Sequence, residues 1–315
     1  MITLLSLYFI IAHISDRYLC HTRSDGSPAY PYFLERQFNI EKKDFSFRSG
    51  RWILRGSRYH FGPGPYRGVL IFFEGIGSGR NAYTKTICLF AKQGYLVYAF
   101  DYTGCMESEG PYIYGMGQVV NDQKAFFDWL DHDPAAQGYE RYVVGHSWGG
   151  YAALIASNPV YKVKRVVSIS GFNRVSDEYK ALVPQLRPGI FLLLTKIYLW
   201  VRLGKSGNLA ASDVLKKSNC PVLYIQGDQD KMVPLAAGRL SLEKDLHGQK
   251  NVAYLNLPGR GHQCFLSIKS EDYINELWEK KLTSPDGPIG LKMDLEKAGE
   301  ENTELLQTIF DFLAV

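Results

Sequence analysis

Six short runs, each apolar on both faces and spaced by stretches of helical periodicity, constrain this chain more than any other feature. They are residues 68–75 (GVLIFFEG), 95–104 (YLVYAFDYTG), 141–147 (RYVVGHS), 163–170 (VKRVVSIS), 221–228 (PVLYIQGD) and 251–257 (NVAYLNL). A half-solvated strand alternates apolar and polar residues, whereas one buried between two layers of helices does not. Helical spacing of apolar residues falls at Thr84 to Gln93, Gly117 to Leu130, Gly149 to Ser157 and Leu235 to Leu246. This alternation predicts an α/β chain with a doubly wound, mostly parallel sheet and right-handed crossovers. Upstream, residues 38–61 read as two extended, aromatic-rich segments about a Ser-Gly turn, an antiparallel hairpin that opens the sheet.

The alternation lapses once. Residues 171–218 hold no good strand but include GIFLLLTKIYLWVRLGK, apolar nearly all round a helix, which calls for cover on more than one side. They read as a helical cap inserted over the carboxyl edge of the sheet, or as an ordinary buried helix pair. As a cap, they would bring Phe191, Leu194 and Tyr198 to an acyl pocket and favour an apolar ester over a charged substrate. The expected organisation is therefore an N-terminal helix and lead-in over 1–37, a core over 38–170 and 219–315, and the cap over 171–218. Leu305, Leu306, Ile309, Phe310 and Leu313 keep helical spacing and close the domain.

Charge and cysteine content exclude several classes. With 36 basic and 32 acidic residues and no Lys/Arg block, nucleic acid is set aside as a partner. Five widely spaced cysteines without a CxxC pair leave neither a disulfide scaffold nor a zinc site, and point to a reducing, cytoplasmic compartment. No histidine pair has metal-ligand spacing, so neither a metal nor another cofactor is expected. Residues 2–14 are apolar but fall short of the roughly 20 residues a spanning helix needs. They lack the basic start and small-residue cleavage site of a secretory signal. They read as a helix packed on the domain or lying against a membrane surface.

One motif carries chemistry. Gly145-His146-Ser147-Trp148-Gly149 follows the strand candidate RYVV and precedes the helix candidate GYAALIAS. A lone G-x-S-x-G arises about 0.2 times per chain of this glycine content by chance, so the strand-turn-helix setting is what matters. A sharp turn there holds Ser147 in strain with its hydroxyl exposed, beside helix N-H groups that favour an oxyanion. A serine at its ordinary pKa is a poor nucleophile and needs a base and an orienting acid. His262 lies in the loop after the last strand candidate, and Asp228 or Asp230 in the loop after the one before it. The carboxyl ends of parallel strands share one sheet edge, where such residues meet. The loop after the first parallel strand, FFEGIGSGRN, supplies the other oxyanion donor, and the amides of Ile76 and Trp148 are assigned to that role. A dinucleotide loop is the competing reading of these glycines, but Arg80 stands at the third glycine position.

With these four motifs in order, residues 38–315 resemble the α/β-hydrolase superfamily, in the branch that groups monoacylglycerol-lipase-like and S33 aminopeptidase-like members. The family pattern G-x-x-D-x-x-V-P is matched by Gly227, Asp230, Val233 and Pro234, so the resemblance selects Asp230 over Asp228. The family's D-x-x-G-x-G-x-S-x-G is matched at Asp101, Gly104, Ser108 and Gly110, with Met106 in place of the second glycine. Glu74 stands where a His often precedes the oxyanion-loop glycine. The resemblance implies acyl transfer to water by Ser147, His262 and Asp230. Three readings remain: hydrolysis of an acyl or carboxylester small molecule, an aminopeptidase or amidase with Asp177 and Glu178 gripping an amine, and a hydrolase-fold binding protein. His146 is read as a packing residue of the turn, Cys264 as a packing thiol, Tyr83 and Asn81 as supports of the oxyanion loop, and Glu107 and Glu109 as solvated or loop-stabilising.

Overall fold

The computed structural model describes residues 22–26, 30–182, 189–283 and 293–315, together with Ser6 and Phe9. The rest of the apolar segment 2–14, and with it the expected N-terminal helix and membrane contact, lies outside the described residues. Eight strands form one sheet: β1 (Glu41–Ser49), β2 (Trp52–His60), β3 (Gly68–Phe73), β4 (Tyr95–Phe100), β5 (Arg141–His146), β6 (Val163–Ile169), β7 (Val222–Gly227) and β8 (Val252–Leu257). Their order is β1-β2-β4-β3-β5-β6-β7-β8. β1 and β2 are the antiparallel hairpin, turning at Gly50 with φ 57°. β2 runs antiparallel to β4, and every later pairing is parallel.

Ten helices complete the described chain: α1 (Thr84–Lys92), α2 (Gln118–Leu130), α3 (Trp148–Ala156), α4 (Val175–Leu182), α5 (Gly189–Leu203), α6 (Ala211–Leu215), α7 (Arg239–Asp245), α8 (Ile268–Thr283), α9 (Leu295–Ala298) and α10 (Thr303–Ala314). One face of the sheet packs with Phe126, Phe127 and Leu130 of α2 and Leu154 of α3. The other packs with Ile87 and Phe90 of α1, Ile274 of α8 and Leu305, Ile309 and Leu313 of α10. Every residue of β3, β4 and β7 is buried, which is why these runs do not alternate. Each apolar side chain so placed contributes roughly 1.5–3 kcal/mol relative to exposure. The strand order reverses about β3, which has the next strand, β4, on one side and β5 on the other. A crevice opens at such a reversal, outside the carboxyl ends of the strands.

One expectation changes and one helix is added. The helix α8, assigned to no element from the sequence, buries Ile274 and Leu277 and packs Tyr273 and Trp278 against the core. The described residues of 171–218 are helical and hold no strand, as expected, but α5 is not covered all round. Leu194, Tyr198 and Leu199 are buried, while Ile190, Leu193, Ile197, Trp200 and Val201 are exposed. Position relative to the sheet, not composition, decides which apolar residues of one helix find cover. Among the described residues no helix is long and apolar enough to cross a membrane.

The start of α10 pins the loop that follows His262. Asn302 donates to the carbonyls of Phe265 and Cys264, and Leu266 and Glu301 form an isolated bridge. Glu301 is buried, accepts from Thr86 Oγ1 at 2.8 Å, and has no partner for Oε2 among the described residues. Burial pushes its carboxyl up to about 7, against the hydrogen bond from Thr86 and the charge of Lys85. An acid with a raised folded-state pKa binds more protons folded than unfolded, so its contribution fades as pH rises from the ordinary carboxyl range through about 7. Thermal melts of Glu301→Gln should therefore lose part of the wild-type decline in stability between about pH 5 and about pH 8, a difference on the order of 3 kcal/mol. Parallel pH profiles of the two proteins would contradict this assignment.

Candidate active site

Backbone contacts create the turn at Ser147. Ser147 has φ 59° and ψ −119°, a region that non-glycine residues rarely enter. A Cβ on Gly145 would lie 2.1 Å from the carbonyl oxygen of Gly149, and one on Gly149 would lie 2.1 Å from that of Phe73. Neither glycine has positive φ; both are required by close approach of backbone to backbone. Ser147 N donates to Ile169 O at 2.8 Å, tying the turn to β6.

Asp230 and His262 meet as expected. His262 Nδ1 lies 3.0 and 2.9 Å from the two oxygens of Asp230. Asp230 Oδ1 also accepts from the amides of Met232 and Val233, both at 2.9 Å. Burial raises the carboxyl pKa of Asp230, but the charge and hydrogen bond of His262 and the Val233 amide outweigh it, leaving the group below its usual range. It is an anion at neutral pH. A ring nitrogen facing an anion carries the proton, so neutral His262 has a bare Nε2. Asp228 instead accepts from Gly259 N at 2.8 Å, fixing the loop that leads to His262.

His262 is joined to the turn at Ser147 through His146. The rings of His146 and His262 lie 4.7 Å apart, and His146 Nε2 is 2.9 Å from the backbone carbonyl of His262. Among the described residues Ser147 Oγ makes no hydrogen bond to His262, a contact that is often long before substrate binds. Ser147 is 9% exposed.

The oxyanion loop lies against the same turn. A Cβ on Gly75 would sit 3.4 Å from Ser147 Cβ. Gly75 N donates to Tyr83 Oη at 3.1 Å, whereas the amides of Ile76 and Trp148 have no intramolecular acceptor among the described residues. The loop is held on two further sides. Arg80, fully buried, pairs with Asp101 and with Glu107 at 2.7 Å, joining it to the loop after β4. Tyr30 Oη donates to Ile76 O and Tyr32 Oη to Ser78 O, both at 3.4 Å. The lead-in expected as a separate segment thus lies across the site.

Both departures from the family pattern have a local account. Met106 has φ 45°, the conformation a glycine takes without strain. Its N-H donates to Ser24 O at 2.8 Å, its carbonyl accepts from Arg23, and its side chain fills the space beside Gly79. Glu74 is buried, with Oε1 accepting from Tyr102 N at 3.3 Å and Oε2 unpartnered among the described residues. Burial and then Asp101 hold its carboxyl well above the usual range. Glu109 accepts from Ile53 N at 2.9 Å and stabilises its loop, and Cys264 is a buried thiol pushed by burial up to about 12. His146 is more than the packing residue expected of it. Its two polar contacts lie across the fold, beyond the reach of local sequence pattern. Of the residues assigned to an acyl pocket, Leu194 and Tyr198 are buried, and the side chain of Phe191 lies outside the described residues.

Comparison with known proteins is consistent with this geometry. The sequence model of the family described as Serine aminopeptidase, S33 matches residues 64–214, which include the oxyanion loop and Ser147. A monoacylglycerol lipase of Mycolicibacterium smegmatis is 24% identical over 239 residues, 63% of this chain and 82% of that protein. An esterase of Pyrococcus furiosus has a similar structure at 20% identity, with a TM-score of 0.59 over 78% of this chain and 94% of that one. An acylaminoacyl peptidase of Pyrococcus horikoshii, 18% identical, superposes with a TM-score of 0.54 over 82% of this chain and 44% of its own.

The contact at the turn is testable by itself. Gly149→Ala should lower stability by about 3 kcal/mol or more in urea unfolding, since a methyl group cannot occupy a carbonyl's position without moving β3. A wild-type midpoint in the variant would show that the backbones do not meet as described.

Proposed function

We propose that the protein is an α/β-hydrolase of the branch that groups monoacylglycerol-lipase-like and S33 members, and within it a serine esterase acting on small apolar acyl esters. The observation that carries this reading is the two-oxygen grip of Asp230 on His262, in a loop whose backbone is tied to the residue preceding Ser147.

Ser147 Oγ attacks the acyl carbonyl carbon while His262 Nε2 takes its proton. Asp230 keeps the proton on Nδ1 and stabilises the imidazolium that forms. The oxyanion accepts from the amides of Ile76 and Trp148, which have no intramolecular acceptor among the described residues. Collapse expels the alcohol, which His262 protonates, and leaves acyl-Ser147. Water activated by the same imidazole then releases the acid.

The preference for an ester rests on the helical insertion read as a cap. Leu194 and Tyr198 present a buried apolar face there. Of the carboxylates considered for gripping an amine, one is engaged and the other is buried with its pKa raised. Asp177 accepts from Ser241 Oγ at 3.0 Å and lies 3.6 Å from Arg174. Glu178 is buried, and burial followed by Asp230 holds it well above the usual carboxyl range.

A fluorophosphonate probe should label the wild type and leave Ser147→Ala unlabelled, with kcat for ester hydrolysis lowered on the order of 10⁴-fold or more in that variant. A folded but unlabelled wild type would point to a binding protein. Among p-nitrophenyl esters of increasing chain length run beside aminoacyl amides, the esters should be hydrolysed faster. Faster turnover of the amides would overturn the ester reading in favour of an aminopeptidase.

A further inference from the structure

We propose that His146 and Tyr83 are positioning residues that form one directed hydrogen-bonded strut between the oxyanion loop and the loop carrying His262. The inference rests on the proposed serine hydrolysis and adds to it two residues that contact neither the acyl group nor the reacting atoms.

The direction of the strut follows from valence. His146 Nε2 faces a carbonyl oxygen, that of His262, at 2.9 Å, and a carbonyl only accepts, so Nε2 carries a proton. Burial, reinforced by the neighbouring His262, holds the His146 ring down at about 3, so the imidazole is neutral and Nδ1 is bare. Tyr83 Oη lies 2.8 Å from Nδ1 and must donate to it. The remaining lone pairs of that oxygen receive the Gly75 N-H at 3.1 Å. The sequence is thus Gly75 N-H to Tyr83 Oη-H to His146 Nδ1, then His146 Nε2-H to His262 O. Each member has one arrangement that satisfies all of them, and reversing any bond would leave a buried donor or acceptor unpaired.

Two effects on the reaction follow. Gly75 N-H is consumed by the strut, so the next amide, Ile76, is the one left free at the oxyanion loop. The main chain of His262 is held from the turn carrying Ser147, with Ser170 Oγ supporting the same carbonyl at 3.3 Å, while Asp230 holds the ring. Spacing between nucleophile, base and oxyanion donor is thereby set by one chain of bonds rather than by three independent loops. His262 and Asp230 are the ionising groups that face the His146 ring, and Tyr83 completes its polar surroundings.

The test combines kinetics with spectroscopy. Tyr83→Phe and His146→Gln should each lower kcat for p-nitrophenyl butyrate about 10- to 100-fold with KM changed less than about threefold, the size expected when reacting groups are displaced by about 1 Å. The double variant should lose no more than the worse single one, because both break the same chain. A kcat within about twofold of wild type in Tyr83→Phe, or losses that multiply in the double variant, would overturn the strut. Should the variants fail to fold, long-range ¹H-¹⁵N spectra of the wild type still decide. They should show His146 as the Nε2-H tautomer, unchanged between about pH 8 and about pH 5. A proton on Nδ1, or a titration in that interval, would refute the proposal. Absence of ester turnover in the wild type would count against the esterase reading alone, since the spectra report the strut without it.

Discussion

Where β5 turns into α3, main chain lies directly on main chain, and the candidate site depends on that contact. With Gly145 against the Gly149 carbonyl and Gly149 against that of Phe73, the chain reverses in a space no side chain can enter. The residue at the apex is forced to positive φ, which turns the Ser147 side chain away from both elements. The same crowding draws the end of β3, and therefore the oxyanion loop, up to the serine. Ser147 and the loop after β3 are neighbours because two strands and a helix pack without intervening side chains.

Around this rigid centre the polar groups are sorted by burial. Arg80 is buried, yet stays charged against Asp101 and Glu107, and the ion pair ties two loops at the sheet edge. A buried pair of this kind contributes geometry more surely than net stability, because desolvation offsets much of its attraction. Burial and Asp101 hold the Glu74 carboxyl well above its usual range, and burial leaves His146 neutral. Asp230 keeps its charge because His262 and two amides surround it. Side chains of similar burial thus differ in their titration according to the partners within hydrogen-bond distance, and Asp230 is left as an anion next to His262.

The helical insertion between β6 and β7 shows how one apolar helix can serve two environments. Leu194, Tyr198 and Leu199 are buried, while Leu193, Ile197 and Trp200 meet solvent. An apolar composition says that a helix can be buried, and says nothing about which turn of it will be.

Strand positions, the opening hairpin, the helical insertion and the identities of Ser147 and His262 were legible in the sequence, because each rests on a local cause. Burial on both faces writes itself as a continuous apolar run, and a strained turn writes itself as glycine on either side of one residue. Residues alone left Asp228 and Asp230 as equal choices for the acid. The fold separates them, since the first reaches Gly259 and the second reaches the imidazole. Nor did local pattern reveal that Tyr30 and Tyr32 brace the oxyanion loop or that His146 reaches the carbonyl of His262. Those are contacts between residues tens of positions apart. Their existence depends on how the strands order about β3 and how the loops fold over one edge, which periodicity and spacing do not encode.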